Sequence, residues 1–227
     1  MNKDTYEKQL QAMEEQHRFT LQKISHEIRN PVTLINSFLQ IMEEQHPEVS
    51  QFECWTQIME NMNFLKSLLN EISDYNRSSI IHSEPTNLYH MLQRIVQDVT
   101  PTLSEQKIQI HLHKHTALPP IDADPVKLRE VFYNLIRNSA EAIGTNGNIT
   151  IGIGYENESI VITVADDGPG IPKEHLSAIF EPFVTYKKEG TGLGLAITKN
   201  VIDSHHGTIV VESKKGSGTQ FSISLPI

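Results

Sequence analysis

From Lys3 to Gln45 the chain carries no glycine, and Leu10, Met13, Leu21, Ile24, Ile28, Leu34, Ile35, Phe38 and Ile41 recur at spacings of three, four and seven. Residues so spaced share one helical face, so the stretch predicts a single long amphipathic helix. A break follows at His46-Pro47-Glu48-Val49-Ser50, after which Trp55, Ile58, Met62, Leu65, Leu68, Leu69, Ile72 and Tyr75 repeat the pattern to about Asn76. This half reads as a helical hairpin. Two helices alone enclose little core, because each apolar stripe has one partner to cover it. The expected solution is a homodimer in which two hairpins close a four-helix bundle.

The first helix contains SHEIRNPVT at 25–33, with a proline five residues after a histidine. Pro31 has no N–H for the carbonyl of Glu27, and its ring crowds that carbonyl, so a bend beside His26 is expected at a cost of roughly 3 kcal/mol. Such a defect needs a functional return. The remaining composition sets bounds. With 38% apolar and 21% charged residues, the 227-residue chain is globular rather than disordered, and its net charge of −9 argues against a nucleic-acid surface. The single cysteine, Cys54, allows no internal disulfide, as expected of the cytoplasm. No run of roughly 18 apolar residues predicts a membrane segment, and the charged start has no signal-peptide core. The chain is compatible with the cytoplasmic part of a membrane-bound sensor.

After Arg77-Ser78-Ser79 the texture changes, which divides the chain into 1–79 and 80–227. KIQIHLHKH (107–115) alternates with period two, NITIGIGYE and SIVITVADD read as a strand pair joined near Glu156-Asn157-Glu158, and GTIVVES and TQFSISLP read as another. Helices are expected near 88–102, 125–143 and 193–205, the second capped by Asp124 with Pro125 in its first turn. Strands in one layer and helices on the other make the second half an α/β sandwich and the whole chain α+β.

Chemistry concentrates in the second half. In REVFYNLIRNSAEAI, Asn134 and Asn138 stand four apart on one helical face, where amide oxygens suit a hard Mg²⁺ ion or simply meet solvent. VADDGPGIP ends a strand in Asp166, a candidate acceptor for an adenine amino group. Gly168 and Gly170 follow it, where the backbone can approach a flat base or merely turn. A weakly patterned stretch from Pro172 to Thr191 reads as a lid, with Phe180 and Phe183 pinning its base and Lys187 or Lys188 reaching phosphate. It closes in GTGLGLAITKN, where Gly190, Gly192, Leu193 and Gly194 lead into a helix whose first N–H groups suit phosphate. A dinucleotide-binding fold is not supported, since no strand directly precedes this run, and GxxxxGK[ST] is absent. The triplet His111, His113 and His115 lies on one strand face and reads as the exposed side of a half-buried strand rather than a metal site. His205-His206 reads as a helix-end charge pair or a turn, and Cys54-Trp55 as helix packing.

The order of paired asparagines, DxGxG, lid, GxGxG and GSGT at 216–219 resembles the ATP-binding domain shared by sensor histidine kinases and gyrase-type ATPases. SHEIRNP narrows the resemblance to histidine kinases of two-component or phosphorelay systems, over nearly the whole chain from about residue 18. Glu141-Ala142 stands where many such kinases carry Lys-Tyr, which makes the chain similar to the sporulation and nitrogen-regulation type. The resemblance implies ATP and Mg²⁺ as cofactors, a response-regulator receiver domain as partner, His26 as phosphoacceptor and Glu27 as its acid/base partner. It further implies Asn138 as Mg²⁺ ligand, Asn134 near the phosphates, Asp166 on adenine, Gly192 and Gly194 at the phosphates, and Thr219 near the base. Asn30, one turn after His26, is expected to orient water in a phosphatase reaction. An imidazole with an ordinary pKa of about 6.5 already offers a lone pair at neutral pH, so the carboxylate's task is to hold the tautomer and balance the developing charge. A mechanical or serine-phosphorylating ATPase of the gyrase type would lack SHEIRNP, and would usually carry glutamate where Asn134 stands. A catalytically dead module would have lost some of His26, Asn138 or Asp166.

Overall fold

The computed structural model describes residues 3–187 and 190–227, with side chains from residue 20 onward. Leu10, Met13 and Lys188 therefore have side chains outside the described residues. The chain forms two compact units, Met1–Arg77 and Ser78–Ile227.

In the first unit, α1 (Lys3–Gln45) and α2 (Glu53–Arg77) are joined by a 3₁₀ turn at Pro47–Gln51, which proline opens because its missing N–H costs nothing there. Val32, Met62 and Leu69 form the buried seam, with Leu39 packed against it. Polar contacts fix the same pairing of helices. Arg29 donates to Asn70 Oδ1 at 2.7 Å, to the Leu69 carbonyl at 2.9 Å and to Ser73 Oγ at 2.8 Å. The helix continues through Pro31, leaving the Glu27 carbonyl without the backbone donor that proline lacks. Much of the apolar stripe stays open: Ile24, Ile28, Leu34, Ile35, Phe38, Ile41 and Met42 are all exposed. Among the described residues no helix is long and apolar enough to cross a membrane.

The second unit is a five-stranded sheet under a layer of helices. Its strands are β2 (Ile108–Lys114), β4 (Gly147–Glu156), β5 (Ser159–Asp166), β6 (Thr208–Ser213) and β7 (Thr219–Pro226), in the order β2-β4-β5-β7-β6. β2 and β4 run parallel, and the other neighbours are antiparallel. A short pair, β1 (Glu84–Thr86) with β3 (Ile121–Ala123), stands apart from this sheet. The helices are α3 (Leu88–Glu105), α4 (Pro125–Ile143) and α6 (Gly194–Ser204), with a single turn, α5 (Lys173–Leu176), inside the expected lid.

Period-two alternation makes the core. Ile149, Ile151 and Ile153 of β4, Ile160, Ile162 and Val164 of β5, and Phe221, Ile223 and Leu225 of β7 are buried on the helix side. There they meet Leu128, Val131, Phe132, Leu135 and Ile136 of α4. The β4–β5 hairpin turns at Asn157 and Glu158, with φ of 50° and 60°, the left-handed pair that a tight two-residue connection requires.

Asp124 caps α4, accepting from the N–H groups of Val126 and Lys127, both at 3.0 Å. Its other oxygen accepts from the His82 N–H at 2.8 Å. His205 is the C-cap of α6 and stands in the turn that ends it, the second of the two readings expected from sequence. It is buried, its Nε2 accepts the Asp124 N–H at 2.9 Å, and its Nδ1 faces the Val201 carbonyl at 2.7 Å. His206 alone takes the left-handed conformation, with φ of 57°. His111 and His113 lie on the exposed face of β2 and stack at 6.3 Å.

Candidate functional site

In the first unit the site is a patch of helix surface. Ser25 is buried, with Oγ directed at the Leu69 carbonyl, and Arg29 is tied to α2, so that side of α1 faces the hairpin seam. His26, Glu27, Asn30 and Pro31 are exposed. A helix advances about 100° per residue, so the four-residue step brings Asn30 beneath His26, while Glu27 flanks it.

In the second unit β5 delivers a carboxylate beneath α4. Asp166 continues the parity of Ile160, Ile162 and Val164, so its side chain points to the helix side, where Ser139 Oγ donates to its Oδ2 at 3.1 Å. Oδ1 accepts the N–H groups of Gly168 at 3.0 Å and of Thr219 at 3.2 Å. A carboxylate offers about four lone-pair positions, so three donors leave room for a ligand N–H. Burial pushes the Asp166 carboxyl above its ordinary range, outweighing these three hydrogen bonds, and the neighbouring Asp167 charge adds to the rise. Asp167 behaves oppositely, because Asn148 donates to it from backbone and side chain and holds it low.

Thr219 is buried and bonded to Ser213 as well, so it belongs to the frame that holds Asp166. Gly170 has a structural reason of its own. A Cβ there would collide with the Lys214 carbonyl, so its missing side chain makes room for the β6–β7 connection. The Gly168 N–H turns back onto the carboxylate.

The second cluster joins α4 to the start of α6. Asn134 Nδ2 donates to Thr198 Oγ1 at 2.9 Å, and Arg137 donates to Asn134 Oδ1 at 3.2 Å. A Cβ on Gly194 would lie 2.5 Å from Asn134 Oδ1, so glycine lets the helix start approach the asparagine. The first N–H groups of this eleven-residue helix have no intrahelical acceptors, an arrangement that suits an anion, and they lie beside Asn134. Gly192, at φ 73°, gives its carbonyl to the Phe183 N–H at 3.0 Å. Leu193 is fully buried as the N-cap, and Gly190 packs against Thr185.

The stretch 172–193 is fastened at several points. Phe180 meets Phe221 edge-on at 6.3 Å, and Tyr186 stacks on His175 at 3.6 Å. Phe183 does not pin the base as expected. Its ring is half exposed, and it is the backbone N–H that makes the contact. Lys187 Nζ donates to Asn138 Oδ1 at 2.9 Å and also pairs with Glu141, whose other oxygen lies 3.9 Å from Arg137 Nε. A cation therefore rests on Asn138. An amide oxygen, a nearby carboxylate and the phosphates of a nucleotide are the oxygen donors that suit Mg²⁺.

Residues 16–79 match the His Kinase A (phospho-acceptor) domain, and residues 123–227 match the histidine kinase-, DNA gyrase B- and HSP90-like ATPase family. The sensor histidine kinase ZraS of Escherichia coli (strain K12) is 33% identical over 205 residues, covering 90% of this chain and 44% of ZraS. The chain thus spans less than half the length of that curated relative, and sporulation kinases of Bacillus subtilis are among the others. The crystal structure of full-length ShkA in complex with AMPPNP superposes with a TM-score of 0.78 at 26% identity, covering 91% of this chain and 45% of ShkA. The histidine kinase ThkA in complex with the response regulator protein TrrA gives a TM-score of 0.69 at 26% identity, covering 96% of this chain and 66% of that one.

Proposed function

Because this chain belongs to the histidine kinases, joining a phospho-acceptor domain to a gyrase-type ATPase domain, we propose that it moves the γ-phosphoryl group of ATP to His26 and then to an aspartate of a response-regulator receiver domain. The reading gives residues 1–79 dimerisation and phosphotransfer, and residues 80–227 nucleotide binding. The observation that carries it is the presentation of His26: its neighbours Ser25 and Arg29 are locked to α2, while the imidazole stands exposed. The AMPPNP bound to ShkA and the response regulator bound to ThkA support the two halves of the reaction.

In the first step the Nε2 lone pair forms an N–P bond as the bond from the γ-phosphorus to the bridging oxygen breaks, and ADP leaves with that electron pair. Glu27 balances the positive charge on the ring and takes up the Nδ1 proton's interaction. Asp166 holds the adenine amino group. The start of α6, with Gly192 and Gly194, receives the phosphates, and Asn134 stands beside them. Asn138 would hold Mg²⁺ together with the nucleotide's phosphates, and the ion would supply charge neutralisation there. Asn134 has a neutral amide that cannot deprotonate water, which favours transfer to a side chain over hydrolysis. The reverse control reaction rests on Asn30, one turn from His26, which can orient water against an aspartyl phosphate docked there. The exposed apolar stripe of α1 supports a homodimer, and the single cysteine supports a reducing, cytoplasmic setting.

The test is incubation with γ-labelled ATP and Mg²⁺. Label is expected as a phosphoramidate, stable in base and lost in mild acid, absent from His26→Gln while ADP affinity stays near the parent's. Acid-stable label, or label that survives His26→Gln, overturns the proposal. Asn30→Ala is expected to slow receiver dephosphorylation without abolishing labelling.

A further inference from the structure

The contact between Lys187 and α4 suggests how the lid and the metal are linked. Asn138 and Glu141 lie three residues apart on α4 and direct one oxygen each at the same ammonium, that of Lys187 from the lid. Two oxygens converging on one cation, one a neutral amide and one a carboxylate, form a cradle for positive charge. Arg137 holds Glu141 from the other side, and Asn134 holds Arg137, so the cradle is braced along the helix. The neighbouring Tyr186 is stacked on His175, which sets the lid segment down beside it.

We propose that Asn138 and Glu141 form a single cation cradle in which Lys187 and the nucleotide's divalent cation are alternative occupants. The inference rests on the reading of Asn138 as the metal ligand and extends it to two further residues. Glu141 becomes a positioning residue that sets the Mg²⁺ requirement. Lys187 becomes a placeholder that neutralises the cradle before metal arrives and is then released from α4 toward the phosphates. Two cations within a few ångströms repel each other strongly, so both cannot occupy the cradle at once. The arrival of metal and the freeing of the lid are thereby one event.

The experiment uses the full chain and fluorescent mant-ADP, with bound fluorescence followed as Mg²⁺ is raised from a chelated start. Lys187→Met removes the competitor and is expected to lower the half-maximal Mg²⁺ concentration by about threefold to fivefold, the size of effect an exposed charge pair provides. Glu141→Gln is expected to raise it, since a divalent cation loses more than an ammonium when the carboxylate goes. In the nucleotide-free protein, Glu141→Gln should also speed acetylation of the Lys187 amine, read by mass spectrometry. An unchanged or raised half-maximal Mg²⁺ in Lys187→Met, or unchanged Lys187 reactivity in Glu141→Gln, overturns the inference. Asn138→Ala separates the two levels. If it abolishes the Mg²⁺ dependence while the other variants change nothing, only the shared cradle fails. If it too leaves the dependence intact, the metal reading of Asn138 fails as well.

Discussion

At Asp166 the demands of binding and of stability point in opposite directions. Burial raises this carboxyl, so the stability it contributes is complete below the ordinary carboxylate value of about 3.9 and is lost as pH rises through its elevated value. At neutral pH the folded protein therefore holds a charge that it would prefer to neutralise. Asp166→Asn keeps an oxygen for the Gly168 and Thr219 N–H groups, yet offers an amide N–H to the adenine amino group. ADP binding is expected to weaken by about 10- to 100-fold, the loss of a hydrogen bond to a charged group. The melting temperature at pH 7 should stay level or rise, with the difference from the parent shrinking as pH falls toward 3.9. Calorimetry and thermal denaturation check the two halves, and unchanged ADP affinity removes Asp166 from the site. Asp166 was legible in sequence because a carboxylate ending an apolar strand before GxG is locally conspicuous. Ser139 and Thr198 were not, because a small hydroxyl on a buried helix face gains its meaning only from a partner 27 or 64 residues away. The packing of Gly170 was equally hidden: its close neighbour is Lys214, which local sequence cannot reveal.

The elements were more legible than the contacts, since periodicity belongs to a segment by itself. The long helices and the β4–β5 and β6–β7 hairpins follow from spacing and turn residues. The three-residue strands β1 and β3 and the single turn α5 are too short to display a period. The start of α4 was readable from Asp124-Pro125, but the reach of its cap was not. Burial would raise the Asp124 carboxyl, but the N–H groups of His82, Lys127 and Val126 hold it below the ordinary range. Its contribution is present above about pH 3.9 and is lost as pH falls through its depressed value. Asp124→Ala is expected to destabilise the second unit by about 1–2 kcal/mol at pH 7, as loss of an N-cap does. Urea denaturation should show this gap constant near neutrality and closing in acid. A gap that does not change with pH would mean the carboxylate is not the group responsible.

For the whole molecule, the open stripe of α1 is the feature with the largest consequence for assembly. Phe38 is 59% exposed and Leu34 56%, apolar residues that a lone hairpin leaves uncovered. Phe38→Glu places a charge in that stripe and is expected to convert a dimer into a monomer, with light scattering as the measurement. A parent that is already monomeric at micromolar concentration would count against the bundle. The alternation of the five strands showed that a sheet would form, but not that β2 would lie parallel to β4, since pairing direction is decided by how α4 crosses between them. α1 itself has a mechanical side. With no interruption from Lys3 to Gln45, it is a shaft 43 residues long, and twenty-three steps of about 1.5 Å place His26 some 35 Å from its beginning. A shaft delivers torque. An axial turn of about 100° imposed at the Lys3 end would carry Glu27 to the bearing that His26 had held, and the missing hydrogen bond at Pro31 is a soft coupling just beyond the histidine. A turn imposed at that end would pass His26 before it met the coupling, so the bearing of one imidazole is the quantity such a turn would change.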